Sequence, residues 1–318
     1  MASIENQKVS NKGFEFSCEL KKFPVSFVNG LRRVLLANIP TVVVRDVQIM
    51  ENTTQLPHEM LKHRMEMLPI DALPGDGPTI RDARIELHIL PGPDARTITT
   101  DDFVVDSARP TILMKDRDIG EPILFARVRK GESLRMSGRL AVENEHVSQV
   151  CNVSTSWHVD PEVSKAARKE YAEDPKNDVR VFDNFLVQRY YSRNERGRPD
   201  WFDLSVESNG VIPAKDLFKT AVKILRKKVD EYFAEAEKNI QTESDTNTYS
   251  ITLEQGGHTV GYLMQEVIYG DTNVNFVSYD ILHPLRNTMV LRFNTSKTPL
   301  SILRAAYGLI GEYCDILE

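Results

Sequence analysis

The sequence predicts an α+β protein in which two small sheets, each covered by helices, pair within one chain, the first of them interrupted by a β-rich insert. Three observations carry this. Short runs of alternating apolar and polar residues are interleaved with strongly amphipathic helical runs. Pro and Gly punctuate residues 51 to 194, as in LPGDGP and LPGPD. The order of elements at the start of the chain returns near its end.

Taken in order, Phe14 to Leu20 alternates as a half-buried strand. The run VSFVNGLRRVLLANIP then sets Phe27, Leu31, Val34 and Leu35 on one helical stripe, which Pro40 stops. Thr41 to Met50 is rich in β-branched residues and predicts a strand that completes the opening unit. Within the insert, ARIELHIL, DFVVD, ILFARV and GRLAV predict short strands, Gly131 and Gly138 mark hairpin turns, and Pro161 to Tyr171 predicts a polar helix opened by its proline. Trp201 to Glu207 alternates again, Asn209-Gly210 turns the chain, and Pro213 opens a long helix. That helix carries a wide apolar stripe, Leu217, Phe218, Ala221, Val222, Ile224, Leu225, Val229, Tyr232 and Phe233, which needs a surface to bury against.

Lys238 to Thr248 is polar and reads as a linker. After it come a strand (YSITLEQ), a helix (HTVGYLMQEVIYG), two strands (VNFVSYDIL, MVLRFNT) and a final helix opened by Pro299 and running through Ile310. Setting Asn29 on Tyr262 places Phe27 on Val260, Leu31 on Met264, Val34 on Val267 and Leu35 on Ile268, so the apolar stripes of the two opening helices coincide. The expected domains are therefore residues 1–50 with 195–240 as a first unit, 51–194 as the insert, 241–248 as linker and 249–318 as a second unit. Two such halves can meet helix against helix as a pseudo-twofold pair.

The chain has 318 residues, 41% hydrophobic and 27% charged, which excludes wholesale disorder and fibrous architecture. Its 40 Lys and Arg against 46 Asp and Glu leave a formal net charge of −6, so any contact with nucleic acid has to be local. Arg226, Lys227 and Lys228 form a basic run on the long helix and read as a solvated outer face. Cys18, Cys151 and Cys314 are sparse and far apart, which fits a reducing compartment. With no apolar run of signal-peptide or membrane-span length, an intracellular protein without membrane contact is expected.

FVNGLRRVLLANIPT resembles the first helix of the assembly subunits of multisubunit RNA polymerases, the bacterial alpha subunit and its archaeal (D) and eukaryotic (third-largest) counterparts. NTTQLPHEMLKHRMEMLPI (Asn52 to Ile70) resembles the archaeal and eukaryotic segment that follows, and FDLSVESNGVIPAKDLFKTAVKILRKKV (Phe202 to Val229) the return strand and long dimerisation helix. GHTVGYLMQEVI and VSYDILHPL (Val277 to Leu285) resemble a different subunit, archaeal L or the eleventh eukaryotic subunit, normally a separate polypeptide. The resemblance thus implies two alpha-like dimerisation units fused in one chain, an arrangement it associates with some large DNA viruses. It also implies a non-catalytic subunit on which the largest and second-largest polymerase subunits and small accessory subunits assemble. DNA would be met only through the complex, and self-association is not expected. The work would be done in the nucleus or cytoplasm of a host cell, with packaging in virions a corollary of viral origin.

The residues this implies at the partner surface are Asn29, Arg32, Arg33, Leu36, Glu59, His63, Arg64 and His146; the residue matching Arg33 faces a large subunit in the family. Those implied between the two halves are Phe27, Leu31, Leu217, Phe218, Ala221, Leu225, His258, Thr259, Gly261, Leu263 and Val267. The sequence departs from the family at three places. Some relatives hold zinc or an iron–sulfur centre with an insert cysteine cluster, whereas this insert has only Cys151, so neither a metal nor a cofactor is expected. VENEHVSQV keeps His146 but lacks the flanking glycines and lysine, and Val179 to Asp200 has no clear match.

Two rival readings fit the residues less well. A zinc hydrolase would use His58, Glu59 and His63. A zincin needs histidines at i and i+4, about 40° apart around a helix, while i and i+5 stand about 140° apart, so this pattern is unsuited to a shared metal. No phosphate-binding glycine loop or nucleophile elbow occurs, and no catalytic residue is expected. A stand-alone nucleic-acid-binding factor lacks the interleaved basic and aromatic residues such binding needs.

Overall fold

The structure, a computed structural model, describes residues 2–144, 150–254, 256–283 and 285–318. It divides into two units, 1–35 with 153–206 and 218–318, and 36–152 with 207–217.

The first unit opens with an antiparallel hairpin, β1 (Ser3–Ser10) and β2 (Glu15–Lys21), whose register shifts between Glu5 and Lys8. The shift is built on Asn6, which takes a left-handed backbone (φ 49°). In β2 the inward residues Phe16, Cys18 and Leu20 are buried, while Ser17, Glu19 and Lys21 line the outward face. Helix α1 (Val25–Ala37) buries Phe27, Val28, Gly30, Leu31, Val34 and Leu35 along one stripe and ends before Pro40.

Strand β3 (Thr41–Asn52) does not complete the first unit as expected from the sequence. It pairs with β8 (Leu134–Glu143), Val44 opposite Leu140, after the chain has passed through α2 (His58–Glu66), α3 (Gly77–Ile80), β4 (Arg84–Ile89), β5 (Arg96–Thr99), β6 (Phe103–Asp106) and β7 (Leu124–Val128). The second unit's main sheet has the order β3-β8-β4-β6, with a separate β5-β7 ribbon. Its core gathers Val42, Val44, Leu61, Met65, Ile85, Leu87, Leu134 and Met136, with Phe103 edge-on to Phe125 at 5.0 Å. Gly131 does sit in a turn (φ 77°), whereas Gly138 lies within β8, where a Cβ would come 2.5 Å from Val44 Cγ1. It serves close packing rather than a turn.

β9 (Cys151–Trp157) leads to α4 (Pro161–Glu173), capped by Asp160, whose carboxylate accepts from the Glu162 and Val163 amides. Residues 179–200, where the sequence shows no clear resemblance, fold as a series of short pieces. α5 (Val179–Val181) runs into a π turn, Phe182 packs between the rings of Tyr171 and Tyr190, and bridges join Val159 to Tyr191 and Arg193 to Pro199. β10 (Trp201–Ser208) then completes the sheet β1-β2-β10-β9.

The long helix α6 (Ala214–Ala236) buries Leu217, Phe218, Ala221, Val222, Leu225, Val229, Tyr232 and Ala236, with Ile224 and Phe233 half-buried. The linker is partly a strand: β11 (Ile240–Thr242) pairs with β12 (Thr248–Leu253), Ile240 opposite Ile251. It is followed by α7 (His258–Ile268), the hairpin β13 (Val274–His283) and β14 (Arg286–Thr295), and α8 (Pro299–Leu317), which runs past Ile310 almost to the end of the chain. The second sheet has the order β11-β12-β14-β13. Each half is a four-stranded sheet with two helices, and the two halves form an intramolecular pseudo-dimer in which the first half carries the insert. Pro284, at the bend expected after His283, lies outside the described residues.

Candidate assembly interface

The two halves meet through their helices, and the contacts run along both ends of the pairing. At the start of α1 the Ser26 amide has no partner within its own helix. It donates to Glu266 Oε2 of α7 at 2.8 Å, and Glu266 Oε1 receives Arg198 at 3.0 Å. Phe23 and Phe27 stack at 5.5 Å, and both rings meet Tyr313 of α8, at 5.3 and 5.4 Å. Burial raises the Tyr313 phenol above its ordinary pKa. One turn on, a Cβ at Gly30 would touch Thr259 Cγ2 at 3.5 Å and Leu225 at 3.7 Å, and Arg33 Nε donates to Thr259 Oγ1 at 2.8 Å. Helix α1 is thus laid against α7 and α6 at a residue with no side chain to hold them apart.

At the other end of α6, Arg226 pairs with Asp315, Arg304 Nη2 lies 2.6 Å from Glu237, the Tyr307 hydroxyl donates to Asp230 at 2.8 Å, and Phe233 stacks on Tyr307 at 4.6 Å. The carboxylate of Asp315 raises the Arg226 pKa. The basic run is therefore not simply a solvated face: Arg226 ties α6 to α8, and Lys227 pairs with Glu231 on its own helix. The 179–200 segment also reaches the second half. Arg196 donates to the Tyr269 and Gly270 carbonyls, both at 3.1 Å, placing a cation on the C-terminal end of α7 where the helix dipole favours it.

Of the residues expected between the halves, Phe27, Leu31, Leu217, Phe218, Ala221, Leu225, Leu263 and Val267 are all buried. Phe27 and Thr259 make the cross-half contacts described above, while Leu225 lies beside Gly30 within the first half. Three others pack within their own half. Phe218 meets the ring of Phe16 at 5.1 Å. His258 is exposed, edge-on to Tyr279, with Nδ1 3.3 Å from its hydroxyl. Gly261 lets α7 lie on its own sheet, since a Cβ there would come 2.6 Å from Met289 Sδ and 2.7 Å from Tyr279 Cδ2. The cross-half residues that sequence reading missed include Ser26, Gly30, Arg196, Arg198, Glu266 and Tyr313. Local pattern contains no signal for partners so distant along the chain, 68 residues apart for Arg198 and Glu266 and 240 for Ser26 and Glu266.

Among the residues expected at the partner surface, Asn29 and Arg32 are half-buried and clamp each other, Asn29 Oδ1 accepting from Nε and Nη2 at 3.2 and 3.1 Å. Arg33 is exposed and Leu36 half-buried. Glu59, His63 and Arg64 are exposed on α2, and Arg64 Nη1 donates to the Phe125 carbonyl at 2.6 Å, which ties α2 to β7. His146 lies outside the described residues. His58, Glu59 and His63 do not gather as metal ligands; among the described residues one trio does so, Glu19, His158 and Asp203. Cys18, Cys151 and Cys314 are buried, and desolvation pushes each thiol up to about 12.

Two sheet-and-helix halves joined through their helices define a dimerisation module, here closed within one polypeptide. The profile of the RNA polymerase Rpb3/Rpb11 dimerisation domain matches residues 17–229, a second profile of the same description matches 248–318, and the chain belongs to this family. It is similar to DNA-directed RNA polymerase subunit Rpo3 of Pyrococcus furiosus, 27% identical over 260 residues, covering 75% of this chain and 99% of the relative. It is also similar to DNA-directed RNA polymerase II subunit RPB3 of Schizosaccharomyces pombe, 26% identical over 277 residues, covering 77% and 90%. A third relative is subunit 3 of DNA-directed RNA polymerases II, IV and V of Arabidopsis thaliana, 21% identical over 276 residues, covering 67% and 85%. No helix among the described residues is long and apolar enough to cross a membrane.

Proposed function

We propose that this chain is the non-catalytic assembly subunit of a DNA-directed RNA polymerase, a platform on which the largest and second-largest subunits and small accessory subunits come together. The observation that carries the reading is the closed pairing of two dimerisation domains in one chain, with Glu266, Gly30–Thr259 and Arg226–Asp315 joining the halves. Its mechanism is binding. Helices α1 and α7 form one rigid surface, from which Arg33 projects with its Nε held by Thr259 and its terminal nitrogens left to face a partner carboxylate or carbonyl. The exposed Glu59, His63 and Arg64 on α2 supply a second contact region, for accessory subunits or the second-largest subunit. The polymerase active site belongs to the large subunits, and the protein acts inside the cell, in the nucleus or the cytoplasm.

Tagging the chain in its native source and sizing what co-purifies tests this directly. The expected result is a large complex holding one copy of this chain with both large subunits. In the same assay Arg33→Ala should leave the chain folded and lower recovery of the large subunits, by roughly 2 to 5 kcal/mol of binding if the contact is buried and charge-assisted. A lone monomer or a homodimer from the native source refutes the assembly role, and unchanged recovery with Arg33→Ala refutes the assigned surface.

A further inference from the structure

The outward face of the first sheet carries a group of side chains that the assembly role does not use. Glu19 on β2, Asp203 on β10 and His158, directly after β9, come from three neighbouring strands, and one donor atom from each lies within 4.8 Å of the others. We propose that these three residues form a binding site for a single divalent transition-metal ion, with one imidazole and two carboxylate ligands.

The histidine is held in place before any ion arrives. Its amide donates to the Trp201 carbonyl at 2.9 Å, its carbonyl accepts from the Ser192 amide at 3.1 Å, and its ring stacks on Trp201 with centroids 4.0 Å apart and planes 22° off parallel. That stacking turns Nδ1 toward Asp203 Oδ1, 2.8 Å away. Glu19 is oriented from outside the trio, because Oε1 accepts from Asn6 Nδ2 at 2.8 Å. Asn6 is the left-handed residue where the β1–β2 register shifts, so the irregularity in the hairpin is what aims this amide at the carboxylate. Outer partners of this kind fix ligand orientation at metal sites.

A plain His–Asp ion pair accounts for two of the three residues and leaves Glu19 unexplained. Two carboxylates close together repel, and among the described residues neither has a Lys or Arg within 4.0 Å. Lys21, on the same face of β2, is placed over the Trp201 ring at 3.9 Å. A dication satisfies both carboxylates at once. One nitrogen and two oxygens suit zinc, cobalt or manganese; tetrahedral zinc with ligand bonds of about 2.0 to 2.2 Å needs donors about 3.3 to 3.6 Å apart. Glu19 and Asp203 are only half-buried, so their side chains can rotate to close the gap. Three protein ligands leave a position for water. Such an ion ties the end of β9 to β2 and β10, at the root of the segment whose Arg196 and Arg198 hold the second half. The cysteine count is blind to a ligand set of this kind.

The test uses the full chain, stripped with chelator and titrated with Zn2+ and, for its visible spectrum, Co2+. One equivalent should bind, with a ligand-field spectrum of nitrogen and oxygen coordination. His158→Gln should abolish stoichiometric binding while circular dichroism stays unchanged. Asn6→Gly, which removes the outer amide but accepts the left-handed backbone, should weaken binding about 10- to 100-fold. Absence of stoichiometric binding by the wild-type chain overturns the proposal, as does undiminished binding by folded His158→Gln. If His158→Gln does not fold, Asn6→Gly decides: unaltered affinity overturns the site, and the stated weakening supports it.

Discussion

Replacing Glu266 by alanine should weaken the joint between the halves more than any exposed ion pair does. Glu266 is 11% exposed at its side chain and accepts both the Ser26 amide and Arg198. The amide is one of the donors that α1 cannot satisfy itself, and Ser26 is buried, so water does not replace the lost acceptor freely. A hydrogen bond to a charged group is worth about 1.5 to 3 kcal/mol, and a carboxylate at a helix N-terminus adds about 0.3 to 1 kcal/mol. The expected loss is therefore about 2 to 4 kcal/mol. Glu266→Gln keeps an acceptor oxygen and loses the charge, so its cost should be about half as large. Arg198 is 50% exposed, and Arg198→Ala should cost no more than about 1 kcal/mol. Urea unfolding followed by tryptophan fluorescence measures this cleanly, because Trp157 and Trp201 both belong to the unit that contains the two halves. If Glu266→Ala shifts stability no more than Arg198→Ala does, the half-buried Glu266 carboxylate is not what satisfies the start of α1.

Two glycines on equivalent-looking helices should respond oppositely to alanine. At Gly30 the new methyl meets only ordinary contacts at 3.5 Å and beyond and gains helix propensity, so Gly30→Ala should be neutral or stabilise by up to about 1 kcal/mol. At Gly261 the methyl enters Met289 and the Tyr279 ring, and Gly261→Ala should destabilise by about 1 to 3 kcal/mol in the same urea assay. With thiols raised to about 12, Cys18, Cys151 and Cys314 should stay unreactive toward a thiol reagent at pH 8 until urea unfolds the chain. The unfolded thiols ionise near pH ~8.5, so this contribution to stability is complete below that pH and falls away as pH rises from there toward 12. Rapid labelling of the native chain at pH 8 contradicts the burial argument.

Periodicity made the helices and the repeat legible. Phe27, Leu31, Val34 and Leu35 and their counterparts Val260, Met264, Val267 and Ile268 are buried because a 3.6-residue stripe has one way to face a sheet. Pairing was not legible. β3 has the composition of a strand wherever it lies, and nothing local states that its neighbour is β8, ninety residues on, instead of β2. Glycine was legible only as an interruption: Gly131 and Gly138 look alike in sequence, yet one turns the chain and the other makes room for Val44. The polar joint between the halves was hidden for the same reason as the strand partners, since Ser26 and Glu266 lie 240 positions apart.

The fusion changes what these contacts must do. The linker is fastened onto the second half's sheet at both ends, by the β11–β12 pairing and by the Asn247 carbonyl accepting from the Thr295 amide, so the tether from α6 to the second half is short. Joining two partners by a short tether sets an effective concentration on the order of millimolar. Half-exposed pairs such as Arg226–Asp315, each contributing about 0 to 1 kcal/mol, then fix register and orientation, while the tether and the buried stripes supply the strength. The arrangement bears on the proposed partner surface as well. Arg33 stands on the first half, but the oxygen that fixes its guanidinium is on Thr259 of the second. A partner that recognises Arg33 in that orientation reads the joined pair and not either half alone, so under the proposed assembly role correct pairing is a condition for capture of the large subunit.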